Sequence, residues 1–234
     1  MRFAGLHKNS FIDYPGKVSC VLFLSGCNFN CPYCHNPVLV NAKTEADSCF
    51  LTQDSVYEFL KNRKGFLDSV VISGGEPTLH DELPELCESI KNMGYPVKLD
   101  TNGSRPARIK ELISKNLVDY IAMDIKTDPF RYSPLIKKGC NPDDILSSIQ
   151  MIMASGLSYE FRTTCIKPLV DDEVIANLCQ NVIQGADLYA LQRFRDAEVL
   201  NPEFFEKNSS IYADSDLIHL KSLAEPWVQK CIVR

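Results

Sequence analysis

Three cysteines, Cys27, Cys31 and Cys34, stand with three and then two residues between them in the Gly/Asn/Pro-rich run from Gly26 to Pro37. This run follows an apolar stretch, Val18 to Leu24, that reads as a buried strand. Thiolates are soft donors, and short loops of this kind wrap several of them around one metal centre. The number of sulfurs constrains the chemistry. Structural zinc is closed by four ligands and an ordinary 4Fe–4S cluster by four cysteines, so a cluster held by three leaves one iron open to a ligand that is not protein. Zinc with His35 or Cys49 as its fourth ligand stands beside this reading. A lone Cys-x-x-Cys is more often a redox pair or half of a zinc site. The cysteines alone leave these alternatives open.

Composition narrows the function classes. The net charge is −5 and no Lys/Arg block occurs, which argues against a nucleic-acid groove or an anionic membrane surface. Met1 to Lys17 holds scattered charges without the apolar core of a signal peptide, and no apolar run approaches the ~18 residues of a membrane helix. Ten cysteines in such a chain favour metal binding and free thiols over disulfides, and a cytoplasmic location is expected. Cys20, Cys87, Cys165 and Cys179 fall within apolar patterns and read as small core residues.

Apolar runs near 18–25, 69–73, 96–100, 118–124, 158–164 and 187–192 read as strands. Between them, amphipathic stretches read as helices. One is capped by Thr52; another covers about 81–93; Pro106, Pro142 with Asp143, and Asp171 open three more; Gly94 and Gly156 stand at C-cap positions. The alternation predicts a parallel α/β sheet, either doubly wound and open or an incomplete barrel. Beyond residue 195, Asp214 to Leu223 reads as a helix and Val228 to Val233 as a closing strand.

In parallel α/β folds, sites form at the C-terminal ends of strands. Ser73-Gly74-Gly75-Glu76-Pro77 follows the second strand, Asp100-Thr101-Asn102-Gly103 the third, and Asp124-Ile125-Lys126 ends the fourth. Gly-Gly suits close backbone approach to a ligand, although a tight turn explains it equally. Asp and Asn beside Gly are ordinary turn residues. Together, two carboxylates at neighbouring strand ends suit a hard cation. Arg162 and Arg193 sit near the ends of the last two strands, and their inward register hangs on a one-residue phase.

The segment Cys27-x3-Cys31-x-Tyr33-Cys34 resembles the signature of the radical S-adenosylmethionine (SAM) enzymes, with an aromatic residue before the last cysteine. Ile12-Asp13-Tyr14-Pro15-Gly16 ahead of it and Tyr33-Cys34-His35-Asn36-Pro37 behind it resemble the glycyl-radical-enzyme activases. Among these, the likeness is greatest to the longer activating proteins of anaerobic ribonucleoside-triphosphate reductase. It runs from about residue 1 to about residue 200.

The resemblance implies a (β/α)6 partial TIM barrel with parallel strands. It makes residues 1–234 one domain, with a core of about 15–195 and a C-terminal extension of about 196–234. It implies a 4Fe–4S cluster on Cys27, Cys31 and Cys34, whose open iron is chelated by the amino and carboxylate groups of SAM. Gly74, Gly75 and Glu76 would contact the SAM amino group, mainly through backbone. Tyr33, His35, Asn36, Asp124, Lys126, Arg162, Ile166 (towards adenine) and Gln192 complete the implied cofactor contacts. The family often places a His where Gln192 or Arg193 stands here. Activases of pyruvate formate-lyase also bind a monovalent cation, matched here by Asp13, Asp100, Thr101 and Asp124 with the Ala122 carbonyl, where that family has Met. Only 38 residues separate Cys34 from Ser73, and Cys49 is their one cysteine, so a single cluster is expected.

The function implied is reductive cleavage of SAM and removal of hydrogen from a glycine of a partner enzyme. The implied partner is anaerobic ribonucleoside-triphosphate reductase, with a flavodoxin or ferredoxin as electron donor. The alternatives are an activase of pyruvate formate-lyase type, a radical SAM enzyme acting on a small molecule, and a zinc-stabilised binding protein.

Overall fold

The computed structural model describes residues 1–40, 50–132, 135, 141–195, 198–206 and 211–234. Numbered along the chain, its strands are β1 (Arg2–Phe3), β2 (Gly5–Ser10), β3 (Ser19–Leu24), β4 (Leu51–Thr52), β5 (Ser69–Gly74), β6 (Val97–Thr101), β7 (Tyr120–Asp124), β8 (Ser158–Cys165), β9 (Tyr189–Arg193) and β10 (Cys231–Val233). The six strands read from periodicity, β3 and β5 to β9, lie side by side in chain order, each parallel to the next. Buried on both faces, they are the continuous apolar runs that parallel sheets demand.

Two edge strands extend this array to eight. Strand β2 pairs antiparallel with β3, and its exposed His7, Lys8 and Asn9 explain why no strand periodicity marked it. Strand β10 joins parallel to β9 at the opposite edge. The expected closing strand therefore widens the sheet instead of closing it. A separate two-stranded ribbon pairs β1 with β4.

The helices are α1 (Pro37–Val40), α2 (Gln53–Asn62), α3 (Leu83–Asn92), α4 (Pro106–Ser114), α5 (Pro142–Met153), α6 (Asp172–Asn177), α7 (Glu203–Glu206) and α8 (Asp214–Ala224). Their starts follow local chemistry. The Thr52 hydroxyl accepts from the Ser55 N–H, Asp171 accepts from the Val174 N–H, and prolines open α4 and α5. Each long helix buries an apolar stripe: Leu83, Leu86 and Ile90 on α3, and Ile145, Ile149 and Ile152 on α5. Gly94 adopts φ +82° directly after α3, a backbone state that glycine enters at little cost.

Two cores result. The larger lies between the sheet and its helices; the smaller, on the other face, gathers Tyr14, Val21, Val71, Tyr120 and Ala122. Strand alternation puts Asp100, Asp124 and Arg162 on the face of this smaller core, nearer the C-terminal strand ends. No helix of the described residues is long and apolar enough to cross a membrane.

Candidate functional site

One cavity opens at the C-terminal strand ends. The cysteine loop gives it Cys27, Cys31, Cys34, Tyr33, His35 and Asn36. The turn after β5 adds Gly74 and Gly75; β6 adds Asp100 and Thr101; β7, the residues after it and β8 add Asp124, Lys126 and Arg162.

The loop is held mostly by backbone. The Gly26 N–H donates to the Leu39 carbonyl (2.6 Å), that of Asn30 to Leu135 (2.8 Å) and that of Cys34 to Cys31 (3.0 Å). The glycine turn locks against its root: the Gly75 N–H donates to the Leu24 carbonyl and the Glu76 N–H to the Gly26 carbonyl, both at 2.8 Å. A Cβ on Gly75 would lie 2.0 Å from the Gly26 oxygen, and one on Gly74 2.2 Å from the Leu24 oxygen. The glycines are thus required by loop-on-loop packing whether or not a ligand is bound.

Glu76 is fully buried and its side chain lies behind the cavity wall. One carboxylate oxygen accepts from the Thr78 N–H and hydroxyl and from the Thr101 hydroxyl; the other accepts from the Asn102 N–H at 2.6 Å. Burial pushes its carboxyl up despite these bonds. Its role is to tie the glycine turn to the β6 loop. That loop in turn reaches the cysteines, because the Asn102 amide donates to Asn28 (3.0 Å) and lies 3.9 Å from the Cys27 sulfur.

Burial pushes the Cys27 thiol up to about 11 and the Cys31 thiol up to about 12, while Lys126 pulls both down. Sulfurs in this state keep their protons until a metal displaces them, so loading releases protons. The donor chemistry fits an iron–sulfur group. The Tyr33 hydroxyl is also buried, beside Cys31. No three His, Cys, Asp or Glu side chains of the described residues converge on a point where one ion could be held. Cys49, the other candidate zinc ligand, lies outside the described residues.

Charged side chains make the opposite wall. Asp124 accepts from Arg162 Nε (2.8 Å) on one oxygen and from Lys126 Nζ (3.0 Å) on the other. Asp100 is paired with Lys98 Nζ at 2.5 Å and lies 3.4 Å from Arg162 Nη1. Burial pushes the Asp124 carboxyl up, but Arg162 and Lys126 outweigh it and hold the group below the usual carboxylate range. Below this layer, Arg234 grips Glu160 at 2.7 and 3.0 Å.

Two expected site residues lie elsewhere. Asp13 accepts from the Ser10 hydroxyl at the far end of the β2–β3 hairpin, where Ser10 pairs with Ser19 at the start of β3. It therefore does not join Asp100, Thr101 and Asp124. Ile166 is fully buried in the main core rather than at the cavity. Gln192, half-buried, pairs in register with Thr164, which lines the cavity, and so stands on the inward face beside it. The phase of the last strands is settled: Arg162 faces in, while Arg193 faces out and pairs with Asp214.

The C-terminal segment supplies what sequence reading missed. The N–H groups of Leu200 and Asn201 donate to the carbonyls of Cys34 (3.1 Å) and Pro32 (3.0 Å). Phe194 stacks on His35 and on Phe205, with ring centres 5.3 and 5.0 Å apart. Backbone donors carry no sequence signal; the aromatic trio Phe194, Phe204 and Phe205 was the one available hint.

Residues 21–178 match the model of the radical SAM superfamily. The chain belongs to this superfamily, among the glycyl-radical-enzyme activases. A provisionally named glycyl-radical enzyme activating enzyme of Methanocaldococcus jannaschii is 35% identical over 99% of this chain and 95% of its own length. The pyruvate formate-lyase-activating enzyme of Clostridium pasteurianum is 28% identical over 77% of each chain. In fold, the radical SAM chain is similar to Streptococcus suis SuiB bound to its precursor peptide SuiA. That match has a TM-score of 0.66 at 15% identity and covers 92% of this chain and 48% of SuiB. Family membership makes the protein an enzyme of radical chemistry that uses SAM and a 4Fe–4S cluster.

Proposed function

We propose that Cys27, Cys31 and Cys34 hold the cluster, that SAM lies between the glycine turn and the Asp124–Arg162–Lys126 wall, and that the product is a glycyl radical on a partner protein. The reading rests on one observation: three thiols and a buried cationic wall face each other across a single cavity. A cluster on Cys27, Cys31 and Cys34 with SAM beside it would supply one-electron reductive cleavage of the S–C5′ bond and, through the nucleoside fragment, removal of a hydrogen atom from glycine.

The chain contributes binding, orientation and exclusion of water. Lys126 and Arg162 present N–H donors to the methionine carboxylate. The glycine turn brings backbone groups to the amino end. Tyr14, tilted on Tyr120 with ring centres 5.6 Å apart, packs the smaller core beneath.

The partner is a protein and, in this reading, anaerobic ribonucleoside-triphosphate reductase. A flavodoxin- or ferredoxin-type protein in the cytoplasm supplies the electron. Exposed Val38 on α1 and Phe130 in the turn after β7 offer apolar contacts on the rim around the cavity. The resemblance to a pyruvate formate-lyase-activating enzyme supports that lyase as the second reading. Anaerobic incubation with SAM, reductant and each partner separates them. A glycine-radical doublet in electron paramagnetic resonance is expected with the reductase. A doublet with the lyase alone selects the second reading, and none with either refutes both.

A further inference from the structure

The monovalent cation implied by resemblance does not fit the residues present. A hard cation needs several oxygen donors free to face one point. Both oxygens of Asp124 are already taken, by Arg162 and Lys126. Those of Asp100 are taken by Lys98 on one side and by Ser73 and Arg162 on the other. Asp13 sits at the other end of β3, and Ala122 is held mid-ladder between Asp100 and Glu160.

We propose that this chain carries the cation itself: the guanidinium of Arg162 occupies the place beside Asp124 and Asp100 that a monovalent ion would need, so no such ion binds there. Two observations support this. First, Arg162 is only 12% exposed yet lines the cavity, so its fork is preorganised. Second, that fork already engages both carboxylates of the implied cation set: Nε donates to Asp124 at 2.8 Å and Nη1 to Asp100 at 3.4 Å.

The inference deepens the proposed SAM site and rests on it. The test titrates SAM into the anaerobically prepared, cluster-loaded protein in tetramethylammonium, sodium or potassium chloride at equal ionic strength. Rubidium-soaked crystals are examined alongside for anomalous scattering near Asp124. The expected result is an affinity that varies less than about twofold between the salts, no rubidium at Asp124, and a loss of about tenfold in Arg162→Gln, the size of one charge-assisted contact. A wild-type affinity that needs sodium or potassium, or rubidium bound beside Asp124, overturns the inference. If Arg162→Gln does not fold, the salt and rubidium measurements on wild type decide alone. Failure to bind SAM in every salt, or unchanged binding in Arg162→Gln, would instead refute the proposed site.

Discussion

Around the loops that follow β3 and β5 the cavity wall is backbone and sulfur, whereas around the ends of β7 and β8 it is charged side chain. On the first side the groups that matter are carbonyls, N–H donors and thiols, held by glycines that admit no Cβ. On the second, Asp124, Lys126 and Arg162 lean on one another, and strand register aims them inward. The first wall suits a group bound by soft donors and close backbone approach; the second suits a charged organic ligand. A site that grips an inorganic cluster at one edge and an amino acid's carboxylate at the other needs both.

The largest break falls on the sulfur side. Cys31→Ala should abolish bound iron and the visible absorbance near ~400 nm in anaerobically prepared protein, because a thiolate ligand has no substitute in this loop. Retention of both would remove Cys31 from the ligand set.

The glycines come next. Gly75→Ala puts a methyl 2.0 Å from the Gly26 oxygen, and neither backbone segment can yield without parting the two loops. Denaturant unfolding should show a loss of roughly 3 kcal/mol. Gly156→Ala, with φ +73° and open space around it, should lose only about 1 kcal/mol. Gly75 is not among the glycines with positive φ, so equal losses would mean that its contact with Gly26 costs no more than the strained φ of Gly156.

The same contrast explains what was legible in the sequence. Cysteine and glycine announce themselves by type, so the cysteine loop and the turn at Gly74 and Gly75 could be read directly, as could the alternating strands. Charged residues need a phase as well as a type. Arg162 and Arg193 look alike in sequence, and only the pairing of Arg162 with Ala190 and Asp124 turns one in and the other out. Asp13 enters the cation set by resemblance alone, whereas an antiparallel hairpin carries it to the opposite end of β3. Lys98 and Glu160 were missed, although an ion inside an apolar strand run was itself a signal.

Two carboxylates, one on each side, should respond to acid in opposite senses. Asp124 titrates below its unfolded value, so its stabilising contribution is present above the ordinary carboxylate range and is lost as pH falls through its folded value. Glu76 titrates above its unfolded value, so the folded state gains relative stability as pH falls towards the ordinary range. Unfolding measured from pH 7 downward should therefore show a steeper decline than wild type for Glu76→Gln between pH 7 and about pH 4, and a flatter one for Asp124→Asn below about pH 4. At pH 7 each should lose about 2 kcal/mol. For Glu76→Gln the loss arises because an amide N–H must face a backbone N–H at Thr78 or Asn102. Parallel pH profiles for the two variants would show that the walls are not electrostatically distinct.

The smallest effect lies outside both walls, on the rim. Val38 and Phe130 are each 71% exposed, one on the cysteine side and one beyond Lys126, so neither supports the cavity. A protein substrate pressed over the opening would cover both. Val38→Asp and Phe130→Asp should each lower radical formation on the partner about tenfold, the scale of one lost apolar contact of moderate weight. The variants should keep wild-type SAM binding and wild-type cleavage without partner. If only Val38→Asp weakens activation, the partner docks on the sulfur side alone. If neither does, it reaches the cavity by another face of the barrel, and the contrast between the walls concerns cofactors only.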